Sequence, residues 1–137
     1  PYRELITMYF QTDENLNYEE EQTSWITRSL NFVTSKFSYS ERDYCSEYLF
    51  DDHGHVEFIY AFDRDDSFRD VEFRFYFKDG KLVKAIVSVY NEDTGKYEQK
   101  YSGVTLPAEY GRKYEIYLNN ASLLKNLFKS IDEASSR

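Results

Sequence analysis

The segment Asp51-Asp52-His53-Gly54-His55 concentrates the side chains of this sequence that are best suited to chemistry. On an extended segment, His53 and His55 could direct both imidazoles to one side and bind a metal, with a nearby carboxylate as third ligand. The alternative is a polar hairpin turn around Gly54. The chain has 2 histidines in all, so no third imidazole could complete the site, and we favour the turn.

A second acidic segment, Asp63-Arg64-Asp65-Asp66, begins like a calcium-binding loop. The EF-hand pattern would require glycine at the position of Phe68 and glutamate at the position of Arg74, and the sequence has neither. A solvated hairpin loop is the simpler interpretation, and a calcium site of another kind is the alternative.

The sequence contains a single cysteine, Cys45, so an internal disulfide is excluded. Cys45 could pair with His53 or His55, but no neighbouring cation or helix N-terminus would lower its pKa, which favours a partly buried strand cysteine. The local motifs of the common enzyme classes are absent from the sequence. We therefore expect no cofactor and favour a protein without catalytic activity, although catalysis by dispersed pocket residues stays open.

Composition excludes several classes of function. The formal charge is 17 − 25 = −8, with acidic residues spread along the chain, which argues against binding to nucleic acid. No apolar run approaches the roughly 18 to 20 residues of a membrane span. A length of 137 residues, with 14 Tyr, 11 Phe and 1 Trp, predicts a single domain, 1–137, with an aromatic core. Because the sequence begins at Pro1, we expect that an upstream segment was removed, either a leader or a stretch left out when the chain was delimited. A leader would imply an exported protein, in the periplasm or on the surface of a bacterium.

Helical spacing of apolar residues predicts two helices in the N-terminal third. The first would be short and is predicted from Tyr2, Leu5, Ile6, Tyr9 and Phe10. The second, over 18–36, would begin at an N-cap formed by Asn17 with Glu20. Its apolar stripe consists of Tyr18, Trp25, Ile26, Leu30, Val33 and Phe37.

After residue 43 the apolar period changes from about 3.6 to 2, which indicates strands. Strands are predicted over 44–50, 55–63, 71–78, 81–90 and 97–101, the last at a sheet edge. The alternation predicts Val71, Phe73, Phe75 and Phe77 on the inner face. In the strand before it, Val56, Phe58, Tyr60 and Phe62 form one face, and Ile59 belongs to the other.

The turn at Lys78-Asp79-Gly80-Lys81 decides the register of the central hairpin. A two-residue loop at Asp79-Gly80 would place Lys84 beside the phenylalanines in the core. We therefore predict a three-residue loop with Gly80 in a left-handed bulge, which directs Val83, Ala85, Val87 and Val89 inward. A helix carrying Trp25 should pack over that strand of small residues.

The C-terminal part is predicted to begin a helix at Pro107 and to end in a helix with a stripe of Leu123, Leu124, Leu127, Phe128 and Ile131. Asn119 or Asn120 would cap that last helix, and we interpret the glycosylation-like triplet Asn120-Ala121-Ser122 in the same way. Residues 108–118 could be helix or strand. The predicted fold class is α+β, with N-terminal helices on a four- to five-stranded antiparallel β-meander and a C-terminal helix.

The outer face of the predicted sheet mixes large apolar groups with charges, which is typical of a recognition surface. The candidate partner-binding residues there are Ile59, Arg74, Tyr76, Lys84, Ile86 and Tyr90. The alternative is that the C-terminal helices cover this face. A pocket between the sheet and the N-terminal helices, with Tyr60 or His55 among its polar groups, is a second candidate site.

The stretch Phe73-Arg74-Phe75-Tyr76-Phe77-Lys78-Asp79-Gly80-Lys81-Leu82-Val83 resembles the aromatic hairpins of small exported α+β proteins of gut bacteria, a largely uncharacterised group. The order of helix and meander over 18–101 is similar to cystatin-like and nuclear-transport-factor-like layouts. That resemblance implies a helix in the concave face of a curved sheet. It implies no functional residue.

The sequence therefore favours a non-enzymatic binding or protein-interaction module, with a protein or a small ligand as partner. A small-molecule-binding protein or enzyme of the cone-shaped helix-plus-sheet type is one alternative. An acidic inhibitor or immunity-type protein that neutralises a basic partner is another, because the charge of −8 would suit it.

Overall fold

A computed structural model of the chain describes residues 3–17, 23–39 and 42–135, with the side chains of 13–17 and 23–27 excepted. Within these ranges the chain forms seven strands followed by one helix. The strands are β1 Arg3–Asn17, β2 Thr23–Tyr39, β3 Arg42–Phe50, β4 Val56–Arg64, β5 Asp70–Lys78, β6 Lys81–Asn91 and β7 Lys96–Gly103, and the helix is α1 Ala108–Ser135.

All seven strands belong to one antiparallel sheet in the order β1 to β7, so each strand pairs with its neighbours along the chain. The predicted meander is confirmed, together with its edge strand, but it is larger than expected. It also includes the N-terminal third of the described chain.

The prediction of N-terminal helices is wrong, because the segments assigned to them form β1 and β2. The two strands pair residue by residue, with Ile6 opposite Ser35 and Met8 opposite Val33. Apolar residues on both faces of a strand imitate helical spacing, as Leu5 and Tyr9 do on one face and Ile6 and Met8 on the other. The threonines and aromatic residues of β2 favour a strand.

Parts of the helical prediction fall outside the described residues. Tyr18 and Glu20 lie between β1 and β2, where the structure is not described. Trp25 and Ile26 belong to β2, but their side chains are outside the described part of the structure. The predicted packing of Trp25 over the strand of small residues therefore also lies outside the described part of the chain. Asn17, the predicted cap, is the last residue of β1.

A bulge reverses the predicted faces of β4. Leu49 pairs with Phe58 but Phe50 pairs with Val56, so Glu57 is an extra residue in the ladder. The extra residue places Val56 and Ile59 on the same side of the sheet, where Ile59 is fully buried. Phe58, Tyr60 and Phe62 consequently lie on the opposite side from the one predicted.

The central hairpin has a two-residue turn, so the predicted three-residue loop is wrong. Asp79 and Gly80 have φ angles of 50° and 79°, as in the type I′ turn that matches strand twist. Lys78 pairs with Lys81, and a bulge two residues later brings Phe75 opposite Ala85. That bulge keeps Lys84 out of the core, as predicted, and it turns Val83 outward.

The core lies between one face of the sheet and α1. Phe73 and Phe75 are fully buried and meet tyrosines of the helix, with ring centroids of Phe75 and Tyr114 5.1 Å apart and those of Phe73 and Tyr117 6.2 Å apart. The other buried apolar residues of this cluster are Leu30, Val33, Tyr48, Phe50, Ile59, Ala61, Val71, Phe77, Ala85, Val87, Val89, Ala121 and Leu124.

Residues 108–118 belong to the helix, which continues without a break to Ser135. The carbonyl of Pro107 accepts a hydrogen bond from the amide of Gly111 at 2.8 Å, so the helix begins where Pro107 predicted. Asn119 and Asn120 therefore lie inside the helix and cannot cap it, which corrects the predicted boundary. In the part of the chain that is described, no helix has the length and apolar character needed to cross a membrane.

The register of β6 can be tested with a matched pair of substitutions. Val83 precedes Ala85 by two residues and Val87 follows it by two. Val87 is nevertheless 0% exposed, whereas Val83 is 52% exposed. We expect V87A to lower the free energy of unfolding by about 2 kcal/mol, because it removes buried methyl groups and leaves a cavity. V83A should lower it by less than about 0.5 kcal/mol. Urea unfolding would measure both, and equal losses would contradict the register.

Candidate functional site

The histidine-bearing segment forms the turn between β3 and β4. Oδ1 of Asp51 accepts hydrogen bonds from the amides of His53 and His55, both at 2.9 Å, and Gly54 has a φ of 79°. The His55 amide is the largest cause of a lowered Asp51 pKa. The turn favoured from the sequence is confirmed, and its carboxylate is occupied in holding the turn together.

The acidic residues of the β4–β5 loop point to three different places. Asp63 faces α1, Asp65 folds back into its own loop, and Asp66 forms an exposed ion pair with Arg112 at 3.1 Å. Asp65 accepts hydrogen bonds from the amides of Ser67 and Arg69, both at 2.9 Å. Their divergence is incompatible with a shared calcium ion, so the hairpin-loop interpretation is the one the geometry supports.

Across the described residues, no group of three or more His, Cys, Asp or Glu is arranged to hold a metal ion. Cys45 lies on the opposite side of the sheet from α1. Burial and the nearby carboxylate of Glu47 raise the pKa of its thiol. A raised pKa disfavours the thiolate, so the geometry gives no support to nucleophilic chemistry at Cys45.

Asp65 makes the stability of its loop depend on pH. Burial raises the pKa of Asp65, but hydrogen bonds from the backbone and guanidinium of Arg69 outweigh burial and hold the pKa below its ordinary 3.8. A carboxylate with a lowered folded-state pKa stabilises the fold above its unfolded pKa, and this stabilisation is lost as the pH falls through the folded pKa.

We therefore expect D65N to lower the free energy of unfolding by about 1–3 kcal/mol at neutral pH, since buried hydrogen bonds lose their acceptor. The difference from wild type should shrink as the pH falls below 3.8. D66N is the matched control, because the Asp66 ion pair is exposed, and it should cost less than about 0.5 kcal/mol. Urea unfolding at several pH values measures both variants, and a pH-independent loss in D65N would contradict the assignment.

The face of the sheet opposite α1, called here the open sheet face, carries an aromatic row across five strands. The row consists of Tyr9, Phe32, Leu49, Phe58 and Tyr76, each paired with the next in the strand register. Its ring centroids are 5.9 Å apart between Tyr9 and Phe32 and 5.0 Å apart between Phe58 and Tyr76. Tyr9, Leu49 and Tyr76 are exposed.

Five of the six predicted partner-binding residues lie on the open sheet face. They are Arg74, Tyr76, Lys84, Ile86 and Tyr90, and their role in binding stays a prediction. Ile59 does not belong to the face, because the bulge at Glu57 turns it into the core. The alternative that C-terminal helices cover this face is wrong, since α1 packs on the other side.

A small polar cluster occupies the middle of the open sheet face. The hydroxyl of Tyr60 donates a hydrogen bond to Oε2 of Glu72, which lies 3.4 Å from a guanidinium nitrogen of Arg74. The guanidinium of Arg74 also stacks over the Tyr60 ring, 5.0 Å from its centroid. Burial and the bond to Glu72 raise the Tyr60 pKa. Tyr60 is therefore part of this face and does not line a pocket under a helix.

A pocket of about 490 Å³, called here the helix–sheet pocket, opens between α1 and strands β1 to β4. This volume is typical of small-molecule sites. The lining residues are Glu4, Ser35, Phe37, Tyr39, Tyr44, Ser46, Asp63, Lys113, Ile116, Tyr117 and Asn120. Neither Tyr60 nor His55, the predicted pocket residues, is among them.

The floor of the helix–sheet pocket is polar although it belongs to the core face of the sheet. Ser35 and Ser46 are buried and face each other in the β2–β3 register. Behind this floor, the hydroxyl of the fully buried Tyr48 lies next to Ser46 and Asn120, and Tyr48 is not among the lining residues. Burial raises the pKa of this hydroxyl.

One wall of the pocket is a hydrogen-bonded ion pair. Nζ of Lys113 lies 3.1 Å from Oδ2 of Asp63, and the buried hydroxyl of Tyr117 donates to the same oxygen. Burial and the Asp63 charge raise the Tyr117 pKa. The opposite wall is aromatic, with the rings of Phe37 and Tyr44 stacked at 4.9 Å and 16°.

Ser35, Phe37 and Tyr39 were missed in the sequence because β2 was assigned to a helix. The alternation within 44–50 would have placed Ser46 on one face with Tyr44. Asp63 was assigned to the acidic segment and to the strand over 55–63, and neither assignment indicated a pocket.

No family model, curated protein or solved structure matches this chain. No functional residue is therefore transferred to it from another protein. The resemblance to exported gut-bacterial proteins and the predicted export both stay predictions.

Proposed function

We propose that this protein is a non-enzymatic interaction module that binds a second copy of itself through the open sheet face. The observation that carries the proposal is the aromatic row, a continuous strip of large apolar side chains with no covering element among the described residues. Rigid aromatic side chains supply contact area at low cost in conformational entropy, which makes them frequent at protein interfaces.

The charge on the open sheet face suits a second copy better than a basic partner. Lys36, Arg74 and Lys84 stand against Glu47 and Glu72 in the outward rows of the sheet. The face is therefore close to neutral in a chain of net charge −8. Two acidic molecules can approach through such a face with little repulsion, whereas an inhibitor of a basic protein would present its acids there.

The size of the face also fits a stable dimer. Seven strands spaced about 4.8 Å apart span about 29 Å, and the nine-residue central strands are about 30 Å long. A face of this size approaches the roughly 800 Å² that each partner contributes to a standard interface. Sheets of this kind pack face to face in natural sandwiches, about 10 Å apart.

A two-fold axis parallel to the middle strand, β4, makes the face complementary to itself. It places β3 of one copy over β5 of the other, so Glu47 faces Arg74 of the second copy and Leu49 faces its Tyr76. Phe58 would meet the same residue of the second copy on the axis. At the centre of the face, one apolar pair and one charged pair are therefore matched at once, and each contact occurs twice, as in an isologous interface.

The proposal predicts a dimer that L49R dissociates. An arginine in place of Leu49 would bury an unpaired charge in the aromatic row, so the dissociation constant should rise about 100-fold or more. L123R is the matched control, because Leu123 is an exposed leucine, 57% accessible, on α1. Sedimentation equilibrium over a range of protein concentrations measures the constants, and urea unfolding checks that both variants fold.

A monomer at all concentrations in the wild type would overturn the proposal, as would a dimer that L123R breaks and L49R does not. Repeating the measurement at high salt tests the nature of the contact. Apolar packing predicts little change, whereas a contact made mainly by exposed charges would weaken as the salt screens it.

A further inference from the structure

We propose that the helix–sheet pocket binds a neutral sugar, with its ring on the aromatic wall and its hydroxyl groups on the polar floor. The pocket lies on the α1 side of the sheet, so this inference goes beyond the proposed self-association and does not depend on it. Three features of the pocket select the ligand class: its charge, its polar groups and its aromatic wall.

The charge of the pocket selects a neutral ligand. Inside the pocket, the carboxylate of Asp63 is already compensated by Lys113 at 3.1 Å and by the hydroxyl of Tyr117. Glu4 lies at the exposed rim, where solvent weakens its effect, and it accepts a hydrogen bond from Ser35 at 3.5 Å. A charged ligand would have to break the internal ion pair, whereas a neutral one leaves it intact.

The polar groups of the floor suit a ligand rich in hydroxyl groups. Ser35, Ser46 and Asn120 line the pocket, and each can donate and accept a hydrogen bond, as every hydroxyl of a sugar can. Ser35 and Ser46 are buried and face each other across β2 and β3, so two hydroxyl groups lie side by side beneath the ligand.

The aromatic wall gives the ring of a sugar an apolar surface. Phe37 and Tyr44 stack on each other at 4.9 Å and 16°, so no ligand ring inserts between them. Both residues line the pocket, where the C–H groups of a sugar ring can pack against them. Tyr39, exposed at the mouth of the pocket, could extend that contact to a second ring.

The test is an NMR titration of the ¹⁵N-labelled protein with the methyl glycosides of glucose, galactose and mannose and with the disaccharides cellobiose and maltose. Adenosine and glucuronate serve as the flat and the charged comparison ligands. We expect at least one neutral sugar to shift the amides of Ser46 and Asn120 in a saturable way. The absence of such shifts with every neutral sugar at millimolar concentrations would overturn the proposal, and so would binding of adenosine or glucuronate there instead.

N120A separates a ligand-binding role of Asn120 from a structural one. Alanine favours a helix, so the urea midpoint should stay unchanged or rise. For the sugar that binds, the dissociation constant should rise about tenfold, the effect of one lost hydrogen bond. N119A, at the exposed neighbouring position of α1 and outside the lining of the pocket, is the matched control and should leave the sugar affinity unchanged. Unchanged sugar affinity in N120A would contradict the assignment.

The two proposals fail independently. L49R alters the open sheet face and should keep its sugar affinity. N120A alters the pocket and should keep the dimer. Loss of sugar affinity in L49R would indicate that the sugar binds on the open sheet face and would contradict the pocket proposal.

Discussion

The structure depends on one constraint: the seven-stranded sheet has two faces, and the one helix in the described part of the chain covers only one of them. The phenylalanines of β5 and the small residues of β6 form the face that α1 covers. Tyrosines of α1 meet those phenylalanines at ring distances of about 5–6 Å, which are favourable for aromatic pairs. This contact fixes the position of the helix. The position of the helix in turn determines which face of the sheet stays open and where the helix–sheet pocket lies.

Both candidate sites result from incomplete coverage by α1. On the far side of the sheet, nothing in the described part of the chain shields the aromatic row. On the near side, the space between α1 and strands β1 to β4 is left as a pocket with two buried serines and Asn120 on its floor. Polar groups on the core face of a sheet add no apolar packing, so they indicate a role other than packing.

The central part of the fold could be predicted because its residues alternate strictly. From 71 to 77, apolar residues occupy every second position, and the predicted inner face is the observed one. The N-terminal third could not be predicted in this way. Its apolar residues serve both faces of a strand, and the resulting spacing is indistinguishable from that of a helix.

Bulges set a second limit on prediction, because an extra residue moves all following side chains to the other face. Because of the bulge at Glu57, Ile59 points into the core and not toward the predicted partner surface. The bulge near Val83 keeps Lys84 exposed even though the turn before it has two residues. The open sheet face was nevertheless foreseen through Arg74, Tyr76 and Ile86. The pocket was not, because it needs β2 and α1 in place together.

The order of the elements also bears on how the chain folds. Each strand pairs with its neighbour along the chain, so hairpins can form one after another with short loop closures, which favours rapid folding. The helix that covers the core is synthesised after all seven strands. Until α1 has emerged from the ribosome, the nascent sheet exposes the faces of Phe73 and Tyr76 alike, and the growing chain is most vulnerable to aggregation in that interval.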